Sequence, residues 1–397
     1  MSTALRIRQA LPLAPPWAAT LLLAACGGGM GSDSTLGTDA MASGSMSGGS
    51  MDMNCMSMGG MSGMSCPAPS VTLAAPAGTM SRSVTLRARV SMSGADAVAR
   101  VDFMVDSMRI GSSSAAPYSV SWDTTSVSDG PHTLTATVSD SMGQTGNANP
   151  LAIEVDNHPA FAVTLTAAQI FPTPGSAASG TAQLKADLAS GALSGRVMLS
   201  GVTATAVTLN TGFAGDRGAP LLTLQAGASS SEWQLPAGAL LTEEQTTALL
   251  QGGLYVIASS AANPQGELRG QITPASIMVV FSPLSGTQEV PPVTINAAGV
   301  SAATVDTVAN TLTVHVHASG VDDAMGGEVA EGAAGVVGGR LAALTRDDVD
   351  PGHWAAQLVA VDTADMAAFK ASHWYINMLT PADPKGAIRG QIELSAH

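Results

Sequence analysis

Tyr375-Ile376-Asn377-Met378-Leu379-Thr380-Pro381-Ala382-Asp383-Pro384-Lys385-Gly386-Ala387-Ile388-Arg389-Gly390-Gln391-Ile392 has a counterpart 120 residues earlier in the chain. There Tyr255, Pro264, Gly266 and Leu268-Arg269-Gly270-Gln271-Ile272 occupy the matching places. Gly212, Gly215 and Gly218 match Gly332, Gly335 and Gly338 at the same offset, while Gln169 to Pro172 match Gln288 to Pro291 one residue closer. Self-similarity at a fixed period signals a repeated structural unit. Two homologous domains are therefore expected, at 160–274 and 276–394.

Each copy alternates apolar and polar residues with period 2, as in Thr311-Leu312-Thr313-Val314-His315-Val316-His317, and has Gly or Pro between the runs. That pattern predicts short half-buried strands, hence an all-β sandwich or barrel. Ahead of the repeats, Ser83 to Val90, Val101 to Val105 and Thr133 to Val138 alternate in the same way, with turns at Asp129-Gly130-Pro131 and Met142-Gly143. Several strands spaced by turn signals over roughly ninety residues predict a sandwich at 69–157.

These motifs carry two resemblances. The segment with Val101 to Ile110, Ala116 to Asp123 and Asp129 to Leu134 resembles bacterial immunoglobulin-like domains, which implies a spacer or adhesion module with Trp122 in its core. The paired repeats resemble the CHRD domain, on Gln288-Glu289-Val290-Pro291-Pro292, the Gly-x-x-Gly-x-x-Gly turn and the tail 375–392. Members of that family commonly carry His-Ile-His before the glycine turn. Here Thr208-Leu209-Asn210 and Glu328-Val329-Ala330 stand there, and Ser259 and Leu379 lie where a tail histidine would be. The resemblance therefore implies a scaffold without the metal or proton chemistry those histidines would support.

The N-terminal 1–25 has Arg6 and Arg8 before a mostly apolar stretch, and reads as a leader rather than a membrane-spanning helix. It ends in Leu23-Ala24-Ala25-Cys26, which resembles the bacterial lipoprotein signal. Lipidation of Cys26 is expected, the alternative being a plain secretory leader cut near Ala25. Gly27 after the cysteine implies the outer membrane.

The tether 26–68 is dominated by Gly, Ser and Met, so it cannot offset its ordering entropy by burial and reads as a disordered linker. It concentrates Met41, Met46, Met51, Met53, Met56, Met58, Met61 and Met64 around Cys55 and Cys66. Soft sulfur donors at this spacing suit Cu(I), and Met51-x-Met53 and Met56-x-Met58 resemble the motifs of periplasmic copper-handling proteins. The competing reading is a low-complexity spacer, with or without a Cys55–Cys66 disulfide.

The whole chain, 397 residues, is 45% hydrophobic, 12% charged and 4% aromatic, with a formal charge of −14. That charge excludes nucleic acid and disfavours anionic lipid surfaces as partners. Three cysteines, all near the N-terminus, leave folding of the β domains to burial. Other candidates have bland readings beside them. His315 and His317 share one strand face and either ligate an ion or lie on a solvated surface. Asp347, Asp348 and Asp350 form an acidic loop, either solvated or Ca²⁺-binding. Arg269 and Arg389 are expected to hydrogen-bond neighbouring carbonyls. The chain lacks the Gly-x-Ser-x-Gly, His-Glu-x-x-His and phosphate-loop signatures. The function expected is a non-catalytic binding, adhesion or scaffold protein of the cell envelope, contacting protein or polysaccharide. The alternative is a copper-handling lipoprotein.

Overall fold

The computed structural model describes residues 68–74, 77–92 and 97–394. Cys26 and the sulfur-rich tether through Cys66 lie outside the described residues, as does the leader. Among the described residues no helix is long and apolar enough to cross a membrane.

The first module holds β1 (Ser70–Ala74), β2 (Ser83–Ser91), β3 (Val98–Val105), β4 (Met108–Ser113), β5 (Ser119–Asp123), β6 (Gly130–Asp140), β7 (Thr145–Asn147) and β8 (Leu151–Val155). One sheet runs β1-β2-β5 and the other β4-β3-β6-β7, with β8 also on β6. Their inner faces meet through Leu86, Phe103, Trp122 and Leu134, as period-2 alternation requires. Trp122 is buried and donates its indole N–H to Ser126 Oγ at 3.2 Å, so its one polar atom is satisfied.

The first repeat contains β9 (Ala160–Thr166), β10 (Ser179–Ala186), β11 (Leu193–Ser200), β12 (Ala204–Thr211), β13 (Pro220–Thr223), β14 (Gln225–Ala226), β15 (Glu232–Gln234), α1 (Glu243–Leu250), β16 (Leu254–Ser260) and β17 (Leu268–Ile272). The second contains β18 (Ile277–Ser285), β19 (Ala298–Asp306), β20 (Thr311–Ser319), β21 (Gly326–Glu331), β22 (Arg340–Arg346), β23 (His353–Ala360), α2 (Thr363–Lys370), β24 (Trp374–Leu379) and β25 (Ile388–Ile392). The second repeat is a closed barrel in the order β18-β19-β20-β23-β22-β21-β24-β25. The first follows the same path, β13-β12-β16-β17-β9-β10-β11-β15-β14. Its two ends, β13 and β14, are consecutive pieces of one chain interrupted at Leu224, where the second repeat has the continuous β22. Each barrel therefore leaves little free strand edge.

Two short helices add to the all-β expectation. Each is started by a capping box, Thr242 with Gln245 and Asp362 with Asp365, which satisfies two backbone N–H groups reciprocally. Leu249 and Phe369 anchor the helices to the barrel cores.

The tail motif becomes a buried pin, repeated in both barrels. Arg389 lies 3.5 Å above the Tyr375 ring and donates to Val336 O (2.8 Å), Ala333 O (3.0 Å) and Gln391 Oε1 (2.7 Å). Gln391 Nε2 donates to Gly332 O and Ser372 O, and the Tyr375 hydroxyl accepts from Gly338 N–H. In the first repeat Arg269 does the same over Tyr255, donating to Phe213 O, Asp216 O and Gln271 Oε1. One cation thus ties the glycine turn to the last strand. Burial pulls Arg269 down to about 10, against the opposing pull of Tyr255 and Asp216. Arg269 does not pair with Glu267, which accepts instead from Ser176 Oγ at 2.7 Å.

Arg389→Ala is expected to destabilise the protein by about 3–5 kcal/mol, because it strands two turn carbonyls and a glutamine oxygen in the interior. Arg389→Lys should recover only a minor part, since an ammonium lacks the planar fork. Urea unfolding of both variants measures this, and a lysine variant as stable as the parent would contradict it.

Candidate functional site

Along β20, Leu312, Val314 and Val316 point into the barrel, so Thr313, His315 and His317 point outward. A solvated face was one expectation for them. Instead His315 is only 1% exposed, because the outer face of β19 and β20 is covered by the first repeat. Gly215, in the middle of the first glycine turn, makes that contact. A Cβ on it would come within 2.8 Å of His315 Cβ and 3.1 Å of Ala302 Cβ, and its φ is +89°. Only glycine meets both demands.

The two histidines are joined by a third. Antiparallel pairing of β20 with β23 sets His317 opposite His353, and His315 Nδ1 lies 2.9 Å from His353 Nε2. The His315 and His353 rings stack at 5.1 Å, those of His317 and His353 at 4.7 Å, and Phe171 of the first repeat stacks on His317 at 5.5 Å. The partners assign the protons. His317 Nε2 donates to Gly215 O at 2.7 Å, and His353 Nδ1 faces Asp347 Oδ2 at 3.3 Å as donor. His353 Nε2 then accepts from His315 Nδ1, which leaves His315 Nε2 as a buried acceptor without a partner among the described residues.

This arrangement stacks imidazoles and spends their nitrogens on one another. Among the described residues no group of three or more His, Cys, Asp or Glu is placed to hold a metal ion. Burial lowers His315 to about 4, with Asp216 pulling the other way, and burial likewise lowers His317. Asp347 is held down to about 2 by the N–H groups of Asp350 and Val349 and then by His353. The acidic loop therefore turns Asp347 and Asp350 inward onto its own backbone, with Asp347 also orienting a histidine.

Beside the cluster a cleft of about 610 Å³ opens between the repeats, walled by Phe171, Pro172, Val300, His317 and Ala318, with Asp350 at its rim. It is largely apolar with few polar points, the usual make-up of a ligand-binding cleft at a domain junction. Trp122, Trp354 and Trp374 are all buried, so none offers an exposed ring for stacking on a sugar. Thr208 and Asn210, standing where the family resemblance expects histidines, bond to each other at 2.6 Å, and Asn210 Nδ2 donates to Gly218 O. In the second repeat Glu328 and Ala330 take those places. His353 and the Phe171 contact went unread in the sequence, since one is brought in by strand register and the other by contact between the repeats, neither of which local pattern contains.

The profile of the CHRD domain matches residues 161–272 and 280–392, together more than half of the chain. The chain belongs to the CHRD family. Its first module matches the bacterial Ig domain over residues 69–136. None of these CHRD or Ig matches is to a catalytic family, which is compatible with a non-catalytic binding or scaffold role. No curated protein matches the CHRD chain. Among solved structures it is similar to fibronectin(III)-like modules of Clostridium thermocellum CbhA, with 21% identity, 21% of this chain, 93% of that one and a TM-score of 0.19. A glucan-utilization protein of Bacteroides ovatus, SGBP-B, solved with a mixed-linkage heptasaccharide, is 10% identical over 81% of this chain and 66% of its own, with a TM-score of 0.17. A tetra-tandem repeat from the extending region of a large adhesion protein is 13% identical over 83% and 100%, with a TM-score of 0.18.

Because His315 is depressed from 6.5 to about 4, the unfolded chain takes up a proton that the folded chain refuses. The stability that His315 contributes is complete above about pH 6.5 and is lost progressively as the pH falls toward 4. NMR titration of the imidazoles, with urea unfolding at pH 7, 5.5 and 4.5, measures both effects. A His315 midpoint above 6 would contradict the assignment.

Proposed function

We propose that this CHRD protein is a non-catalytic binding protein of the bacterial cell envelope, lipid-anchored through Cys26.

 The observation that carries it is the cleft between the repeats. It is apolar, of ligand size, and built from both barrels, while the chain lacks the main catalytic signatures. The envelope address rests on the leader and on the Leu23-Ala24-Ala25-Cys26 signal, with Gly27 favouring the outer membrane. Two or three acyl chains on one cysteine hold more firmly than a single one. The ligand is a protein or polysaccharide of the envelope, and the apolar walls, with no exposed tryptophan among the three named above, favour an apolar protein segment over a sugar.

The test has two arms. Full chain is applied to protein and glycan arrays beside Phe171→Ser, which removes the aromatic wall. Binding by the parent that falls at least tenfold in the variant supports the reading, and silence on both arrays counts against it. In cells, Cys26→Ser should leave an unprocessed or mislocalised precursor, and unchanged membrane partition would refute the anchor.

The tether supports a second, separable reading, capture of Cu(I) by the methionines between 41 and 66 together with Cys55 and Cys66. Thioethers bind Cu(I) without losing a proton, whereas His315 is buried and the imidazoles of both His315 and His317 are engaged. Under reducing conditions, competition with a Cu(I) chelator should show binding by the full chain and none after deletion of 41–66. Equal binding by both would reduce the tether to a spacer.

A further inference from the structure

The two barrels solve one position in opposite ways. Gly266 in the first repeat and Gly386 in the second are equivalent, and each leaves a small void where a Cβ would stand. In the first repeat the void is filled by methyl groups, since a Cβ on Gly266 would meet Ile257 and, at 3.3 Å, Ile170 Cδ1. In the second, the equivalent residues are Asn377 and Glu289. A Cβ on Gly386 would meet Glu289 Oε2 and, at 2.6 Å, Asn377 Oδ1. Two oxygens thus converge where the sister domain keeps hydrocarbon.

One oxygen of each side chain lacks a partner among the described residues. Glu289 is 7% exposed and Asn377 4% exposed, yet Glu289 Oε1 and Asn377 Oδ1 are buried with no hydrogen-bond partner. Leaving such acceptors unpaired costs about 1–3 kcal/mol each. Arg389 does not relieve them, because its terminal nitrogens go to Val336 O, Ala333 O and Gln391 Oε1. Asn377 spends its amide hydrogens on Lys385 O at 2.9 Å and Glu328 Oε1 at 3.4 Å, which fixes its carbonyl oxygen toward Glu289 and brings a second carboxylate alongside. In the first repeat Thr208 replaces Glu328, and the same place is a pocket of about 340 Å³ that includes Ile170, Thr208 and Ile257 in its wall.

We propose that Glu289, Glu328 and Asn377 form a binding site in the second repeat for a hard divalent cation, Ca²⁺, that the first repeat lacks. All three donors are oxygens, two of them carboxylates, which selects a hard cation over a soft one. Water completes the coordination shell. The site is distinct from the inter-repeat cleft and from the sulfur-rich tether, and does not depend on either.

Calorimetric titration of the chelator-stripped full chain with CaCl₂, and separately with MgCl₂, tests it. One Ca²⁺ per chain is expected, with affinity at least tenfold weaker in Glu289→Gln and in Asn377→Ile, the latter installing the first repeat's residue. Asp348→Asn, in the exposed acidic loop, should bind as the parent does. Circular dichroism and thermal melting verify that each variant folds, and Ca²⁺ should raise the melting temperature of the parent alone among the parent and the two site variants. Absence of binding in the parent would overturn the proposal and leave Glu289 closed onto Asn377 by a proton. Parent-like affinity in Glu289→Gln, loss in Asp348→Asn instead, or binding of Mg²⁺ without Ca²⁺ would overturn it as well.

Discussion

A guanidinium buried over a tyrosine ring is the constraint on which the paired barrels depend. Its planar fork supplies donors in fixed directions, and the carbonyls it reaches belong to a turn that has few hydrogen bonds of its own. Tyrosine and glutamine complete the pin from the adjacent strands, so that glycine turn, last strand and neighbouring strand are set in one geometry. Because the same triad, Tyr-Arg-Gln, is present twice, the turn has the same anchorage in both barrels. What the turn then does depends on its surroundings, and these differ.

Much of the architecture was legible because β-structure writes itself with period 2. Thr311 to His317 gave away both faces of β20, and the spacing of glycines and of the Arg-Gly-Gln tail exposed the duplication. Arg269 and Arg389, recurring before Gly-Gln and expected to bond neighbouring carbonyls, do reach carbonyls, but those of a turn more than fifty residues earlier in the chain. The two helices were missed because each has only 8 residues and sits between strands, although the Thr242-Glu243-Glu244-Gln245 capping box was there to be read. The histidine face was misjudged for a different reason. Alternation says that His315 and His317 point away from their own barrel, but not whether another domain covers them. His353 is 38 residues from His315 and reaches it only through strand pairing, a long-range register that local pattern does not contain.

The duplicated fold also separates what packing requires from what has been free to change. Leu165, Leu209, Leu224 and Val256, which face the interior of the first barrel, have the apolar counterparts Leu284, Val329, Leu344 and Ile376 in the second, whereas Ile170, Thr208 and Ile257 stand where the second has Glu289, Glu328 and Asn377. Exchanging hydrocarbon for unpaired oxygen costs stability unless something binds there. A sister domain that manages with isoleucine demonstrates that the fold itself does not need the polar set.

The contact through Gly215 has a direction. The turn of the first barrel seats on the side of the second, while the second barrel's own turn carries Val336 at 52% and Val337 at 64% exposure, and no atom of the described residues lies within 4 Å of a Cβ placed on Gly335. Such a head-to-tail joint uses different surfaces on its two sides, so it can be repeated from one barrel to the next. An array made this way can be lengthened by gene duplication with each new joint copying the last, so that reach becomes a matter of copy number.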